Sequence, residues 1–109
     1  MSIEYMHIGI PTVRKKENMF HSDFGFYLTD PSNDDDYKIE YLNFDENTVF
    51  PDELTKNFHV AYKVDKIENY INDGERILFG PEMCGPKDRL AFIVKDGVVI
   101  ELYEDNTNK

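Results

Sequence analysis

Hydrophobic and polar positions alternate most regularly in the second half of the chain. β-branched and aromatic side chains are concentrated there in three stretches, residues 58–64, 89–95 and 98–103, and this pattern predicts strands. Residues 75–79 could add a short strand, and Asp96-Gly97 is suited to a two-residue hairpin turn between the last two strands. Residues 80–86 contain two Gly-Pro pairs and are expected to form a loop.

A helix is predicted directly after the first of these strands. Ile67, Tyr70 and Ile71 are spaced at i, i+3 and i+4, so they would share one helical face. Asp65 is a suitable N-cap residue, and Gly74 is a suitable stop. The second half therefore predicts the order strand, helix and then three strands.

The first half repeats this order more loosely. Strands are predicted at residues 6–10, 24–29 and 37–44, and the polar segment 12–22 is either a poor helix or a loop. We therefore expect an α+β fold in a single domain that spans residues 1–109. It would consist of two modules, at about residues 3–45 and 57–104, of which the first is reduced.

Both halves carry the same short motifs in the same order, which indicates an internal repeat. The first strand of each half begins with a histidine, His7 or His59, and the last strand carries an Ile-Glu pair that ends in Glu40 or Glu101. Because side chains alternate faces along a strand, each of the four lies on a face that also carries apolar residues. A carboxylate in such a place is costly unless a positive charge lies next to it.

Two imidazoles and two carboxylates have the chemistry of a divalent-metal site. Such nitrogen and oxygen ligands suit Zn²⁺, Ni²⁺, Co²⁺, Fe²⁺ or Mn²⁺, and two glutamates would neutralise the charge of the ion. The ordinary alternative is a hydrogen-bonded strand histidine and a solvent-facing strand glutamate in each case. Taken together in their repeated order, the candidate metal ligands are His7, Glu40, His59 and Glu101.

The net charge of the chain argues against some classes of binding partner. The 109 residues contain 12 Lys+Arg and 22 Asp+Glu, for a formal net charge of −10, so we expect no binding to nucleic acid or to a membrane surface. Residues 30–53 hold nine of the acids and one lysine, mostly in turn-rich stretches. The acidic run at residues 30–36 lacks the pattern of an EF-hand and is predicted to be a solvated loop.

The cysteine content and the lack of long apolar runs indicate the cellular compartment. Cys84 is the single cysteine, which fits a reducing compartment, and no apolar run approaches the roughly 20 residues of a membrane span. The first residues lack the pattern of a signal peptide, so we expect a cytoplasmic protein. Cys84 has no neighbouring group that would lower its thiol pKa and is expected to be a loop residue, and His21 is expected to be a surface residue.

These motifs together resemble the vicinal oxygen chelate superfamily, which includes glyoxalase I, extradiol dioxygenases, methylmalonyl-CoA epimerase and bleomycin-resistance proteins. The resemblance is carried by residues 59–65, the Gly80-Pro81 loop, residues 90–93 and the segment 96–102. The chain is most similar to small, single-domain glyoxalase-like members. The resemblance implies two βαβββ modules that form an incomplete barrel around a cavity and hold a metal through the four candidate ligands.

The resemblance also implies a function. It suggests a metal-dependent enzyme of lyase, isomerase or dioxygenase type, acting on a small molecule bound through adjacent oxygens, with Glu101 or Glu40 as the candidate catalytic base. The three arginines, Arg14, Arg76 and Arg89, form no recognisable cluster for the carboxylates of a glutathione substrate. The superfamily also contains binding proteins without catalysis, so a protein that binds or sequesters a small molecule is the alternative, and a homodimer could form.

Overall fold

The computed structural model describes residues 2–30 and 36–106, and these divide into two compact units. Residues 7–30 and 36–58 make up the first unit, and residues 2–6 and 59–106 make up the second. The strand β1 (Ile3–Pro11) contributes to both, because its first four residues belong to the second unit and its remainder to the first.

The first unit consists of four strands and one short helix. After β1 come β2 (Phe20–Ser22), β3 (Phe26–Leu28), β4 (Ile39–Phe44) and α1 (Asp52–Thr55). The strand order is β2-β3-β4-β1, with antiparallel pairing except between β4 and β1, which are parallel. A group of four aromatic rings, with neighbouring centroids 5.6–6.1 Å apart, packs within this unit and contains Phe24, Phe26, Phe44 and Phe50.

The second unit has the same strand order. Its strands are β5 (His59–Val64), β6 (Arg76–Met83), β7 (Asp88–Lys95) and β8 (Val98–Asp105). They are ordered β5-β8-β7-β6, and only β5 and β8 are parallel. In both units the strand that begins or contains the candidate histidine therefore lies next to the strand that carries the candidate glutamate.

The hairpin between β7 and β8 has the predicted turn. Asp96 and Gly97 both have positive φ angles, 51° and 78°, as a two-residue turn of this kind requires. Lys95 pairs with Val98 across the turn, so the two strands remain in register from there to Asp88 and Asp105.

The predicted helix at residues 65–74 is wrong, because the structure has only a 3-10 turn there, Ile67–Asn69. The N-cap position is Lys66, not Asp65, and it makes no side-chain capping bond. The backbone N–H of Ile67 donates instead to the Glu104 carboxylate on β8, at 2.9 Å, which ties the turn to the sheet. Gly74 serves close packing, since a Cβ there would overlap the carbonyl oxygen of Val94 on β7.

Two other predicted boundaries also differ. The predicted loop at residues 80–86 is wrong in its first part, because β6 continues through Gly80-Pro81 to Met83, with an irregular register against β7. Within the polar segment 12–22 there is no helix, and β2 forms at its end. The predicted acidic loop 30–36 lies mostly outside the described residues.

The outcome for the fold class is mixed. The predicted strands are present, whereas the helical part of the α+β prediction is not found: residues 2–30 and 36–106 contain eight strands, one four-residue helix and one 3-10 turn. The described residues thus form a mixed β structure with parallel and antiparallel pairs. No helix among them has the length and apolar character needed to cross a membrane.

Candidate metal centre

The first unit brings together His7 and Glu40, the first His–Glu pair. β1 and β4 are parallel, and Gly9 lies directly opposite Glu40. His7 is two residues before Gly9 and therefore on the same face of the sheet. The imidazole Nε2 of His7 lies 3.4 Å from Oε1 of Glu40, and the two residues are only 4% and 6% exposed.

The second unit brings together His59 and Glu101, the second His–Glu pair, in the same way. Ala61 lies directly opposite Glu101 in the parallel pairing of β5 with β8, and His59 is two residues before Ala61. Nε2 of His59 lies 3.1 Å from Oε1 of Glu101, with the residues 2% and 7% exposed.

The repeated motifs of the sequence thus correspond to one repeated local geometry. In each unit the glutamate lies opposite the second residue after the histidine, and that residue is small, Gly9 or Ala61. A small residue leaves the space over the sheet through which the glutamate side chain reaches diagonally to the imidazole. All four side chains are buried, so the alternative of solvent-facing glutamates is wrong.

Aromatic rings flank the second His–Glu pair. Phe92 on β7 lies opposite Glu101 in the antiparallel register, and its ring meets that of His59 edge to face at a centroid distance of 5.3 Å. Phe79 on β6 pairs with Phe92, at a centroid distance of 6.5 Å. These apolar neighbours restrict the orientation of the imidazole and lower the local polarity, which strengthens electrostatic interactions of the pair.

The sequence analysis did not identify Phe79 or Phe92 as neighbours of the second His–Glu pair, although the predicted hairpin turn could have located Phe92. A two-residue turn at Asp96-Gly97 places residue 95 opposite residue 98, and counting back from there places Phe92 opposite Glu101. The irregular register between β6 and β7 meant that no such counting could assign Phe79.

Only a few kinds of partner can stabilise the buried carboxylate of each His–Glu pair. A buried carboxylate needs a hydrogen-bond donor, a positive charge or a metal ion, and an imidazole can supply the first two. Imidazole nitrogen and carboxylate oxygen are also two of the common ligand atoms of divalent transition metals. The chemistry of each pair therefore suits either a direct imidazole–carboxylate contact or part of a metal site.

Cys84 and His21 behave as expected for residues outside the site. Desolvation, with a further contribution from the charge of Asp88, raises the pKa of the Cys84 thiol to about 11, so that the thiol is protonated at neutral pH. His21 is half exposed, and its Nε2 lies 3.2 Å from Oδ2 of Asp45.

Arg89 is directed away from the candidate ligands. It lies opposite Glu104 in the β7–β8 register, on the other face of the sheet from Glu101. There it donates hydrogen bonds to both Glu104 and Glu68, and these bonds raise the pKa of its guanidinium further. Arg89 is therefore a structural residue and contributes no cation on the face that carries Glu101.

Comparisons of the chain with family models, with curated proteins and with solved structures found no match. Any functional conclusion therefore depends on the chemistry of this chain's own residues. The resemblance to the vicinal oxygen chelate superfamily remains a prediction from the sequence motifs.

Proposed function

We propose that the protein is a metal-dependent enzyme of the glyoxalase-like, vicinal oxygen chelate type. It would act on a small molecule bound through adjacent oxygens, in a lyase, isomerase or dioxygenase reaction. The observation that supports this proposal best is the buried His–Glu pair, which occurs twice in the same register.

The donor set fits a divalent transition metal. The proposed ligands are two imidazole nitrogens, from His7 and His59, and two carboxylate oxygens, from Glu40 and Glu101, and such donors suit these ions. The two carboxylates would balance the 2+ charge, which removes the cost of burying them. When bound, the metal would act as a Lewis acid that acidifies a proton next to a coordinated carbonyl.

The roles of the protein residues follow from their surroundings. Phe92 would keep the His59 imidazole oriented, and the small residues Gly9 and Ala61 would leave room for the glutamates and for a ligand over the sheet. Glu101 or Glu40 would be the base that accepts a proton from the substrate, since a carboxylate within reach of the bound molecule is a suitable general base.

Metal content is the direct test. The purified protein is stripped with a chelator, incubated separately with Zn²⁺, Ni²⁺, Co²⁺, Fe²⁺ and Mn²⁺, desalted and analysed by mass spectrometry of the elements. We expect about one ion per chain for at least one metal. His7→Ala and His59→Ala should each lose it, because each removes a nitrogen ligand.

His21→Ala is the matched control, because His21 is the third histidine and is half exposed. It should keep the wild-type metal content, and circular dichroism would establish that all three variants are folded. A wild-type protein that takes up none of the five metals, or a His21→Ala variant that loses as much as His59→Ala, would contradict the proposal.

A binding protein without catalysis is the alternative function. It is favoured by the distances of 3.4 and 3.1 Å within the two pairs, at which each glutamate carboxylate lies against the imidazole of its own unit without an ion. Nitrogen-detected NMR of the histidine rings separates the two functions. If Zn²⁺ leaves the ring signals of His7 and His59 unchanged and the protein takes up none of the other four metals, the metal-dependent function is excluded and the alternative is favoured.

A further inference from the structure

A groove of about 290 Å³ lies in the second unit, on the sheet face opposite to Glu101. Ile100 and Leu102 precede and follow Glu101 on β8, so their side chains point to the other side of the sheet. Ile93 on β7 pairs with Ile100, and these three aliphatic side chains line the groove. Every residue that lines it belongs to the second unit, and none is a candidate metal ligand.

The groove is open because the connection between β5 and β6 covers only part of this face. A helix over residues 65–74 would be about 15 Å long, whereas the three residues of the 3-10 turn span about 6 Å. Ile67 and Tyr70 are buried in the apolar cluster under this turn, but Tyr62 and Ile100 are only partly buried. A concave apolar surface with a few polar groups is the usual form of a small-molecule site.

Two opposite charges lie at the rim, because Asp73 and Lys95 both line the groove and are both exposed. Nζ of Lys95 donates a hydrogen bond to the backbone carbonyl of Asp73 at 3.3 Å, which uses one of its three N–H groups. Among residues 2–30 and 36–106, the Asp73 carboxylate has no hydrogen bond or ion pair. Burial and the charges of Asp65 and Asp73 raise the pKa of the Tyr70 hydroxyl, so the Asp73 carboxylate is near this ring.

We propose that the groove binds an apolar α-amino acid. The ligand ammonium contacts the Asp73 carboxylate, the ligand carboxylate contacts the Lys95 ammonium, and the apolar side chain packs against Ile100 and the Tyr62 ring. Lys95 would repel a ligand with only a positive charge, and Asp73 would repel one with only a negative charge. A zwitterion complements both.

The size of the groove agrees with such a ligand. Its volume is just below the range of about 300–1,000 Å³ that is typical of sites for larger, drug-sized molecules. Because the groove lies on the face opposite to Glu101, this binding is a second function of the chain and does not depend on the proposed metal chemistry.

Three compounds that share a phenylethyl group and differ in charge test the proposal. L-Phenylalanine is the zwitterion, phenethylamine the cation and 3-phenylpropionate the anion, and L-alanine is a zwitterion without a large apolar group. Each is titrated at pH 7 into nitrogen-labelled protein. Dissociation constants are obtained from proton–nitrogen NMR spectra, through the chemical shifts of the backbone amides of residues 73, 95 and 100.

We expect L-phenylalanine to bind about fivefold more tightly than either singly charged compound, as the loss of one partly exposed ion pair allows, and more tightly than L-alanine. Asp73→Asn should weaken its binding about fivefold. Asp96→Asn is the matched control, because Asp96 is an exposed acid that does not line the groove, and asparagine suits its positive φ angle. This control should bind L-phenylalanine as the wild type does.

Unchanged amide signals with L-phenylalanine would overturn the proposal. So would equal or tighter binding of either singly charged compound, or of L-alanine, and so would equal affinities in Asp73→Asn and Asp96→Asn. If the same signals shift when the protein alone is diluted, a second copy of the chain occupies the groove and the proposal is wrong. The titrations contain no metal, so their result is independent of the test of metal content.

Discussion

Replacing Glu104 by glutamine tests the hydrogen bonds through which the Glu104 carboxylate on β8 holds the 3-10 turn and β7. Glu104 is 3% exposed, and its Oε1 accepts hydrogen bonds from the Ile67 backbone N–H at 2.9 Å and from Nη2 of Arg89 at 2.7 Å. Its Oε2 accepts a hydrogen bond from Nε of Arg89 at 3.0 Å. In Glu104→Gln the amide would present N–H groups to a guanidinium that has only N–H groups to offer.

The expected loss of stability follows from the pKa of this carboxyl. Hydrogen bonds from Arg89 are the largest cause of a decrease in the Glu104 pKa from 4.5 to about 2. At 1.36 kcal/mol per pKa unit, this difference corresponds to about 3 kcal/mol of folding free energy. Breaking one side of a buried ion pair costs about 3–5 kcal/mol, which agrees. Since one kcal/mol shifts the Tm of such a domain by about 4–8 °C, we expect a decrease of roughly 12–24 °C.

The pH dependence has a definite sign. Because the pKa of Glu104 is lower in the folded protein, the stabilisation is present above the unfolded pKa of about 4.5 and is lost as the pH falls towards 2. The difference between wild type and Glu104→Gln should therefore be largest at pH 7 and should close between pH 4.5 and pH 2.

Urea denaturation followed by far-ultraviolet circular dichroism at pH 7, 5, 4 and 3 measures this difference. Glu46→Gln is the control, because Glu46 is an exposed glutamate, and it should change the free energy of unfolding by less than about 0.5 kcal/mol. A loss below about 1 kcal/mol for Glu104→Gln at pH 7, or a loss of the same size at pH 3 as at pH 7, would refute the reasoning.

Two further predictions concern glycine and cysteine. Gly74→Ala should lower the free energy of unfolding, measured by urea denaturation, by about 3 kcal/mol, because its Cβ would overlap the Val94 carbonyl. Gly97→Ala, in open space with a φ of 78°, should lower it by only about 1 kcal/mol. Equal losses in the two variants would contradict this reasoning. The Cys84 thiol, with its pKa raised to about 11, should react with iodoacetamide at a rate that still increases about tenfold per pH unit between pH 7 and 9. A rate that levels off below pH 9 would show that the thiol is not protected in this way.

The sequence by itself determined the strands and the chemistry of the candidate site. β-branched and aromatic runs predicted β5, β7 and β8 to within a few residues, and Asp96-Gly97 predicted the hairpin, because such signals act between near neighbours in the chain. The repeated histidine and glutamate identified both His–Glu pairs.

Only the tertiary structure decided how distant segments meet. Parallel strands are joined by long connections, and no local pattern encodes that Gly9 lies opposite Glu40 or that Ala61 lies opposite Glu101. The 3-10 turn found within residues 65–74 also depends on a distant residue. The Glu104 carboxylate, 37 residues away, accepts the Ile67 N–H and anchors the turn to β8, in place of the local Asp65 cap that the sequence predicted.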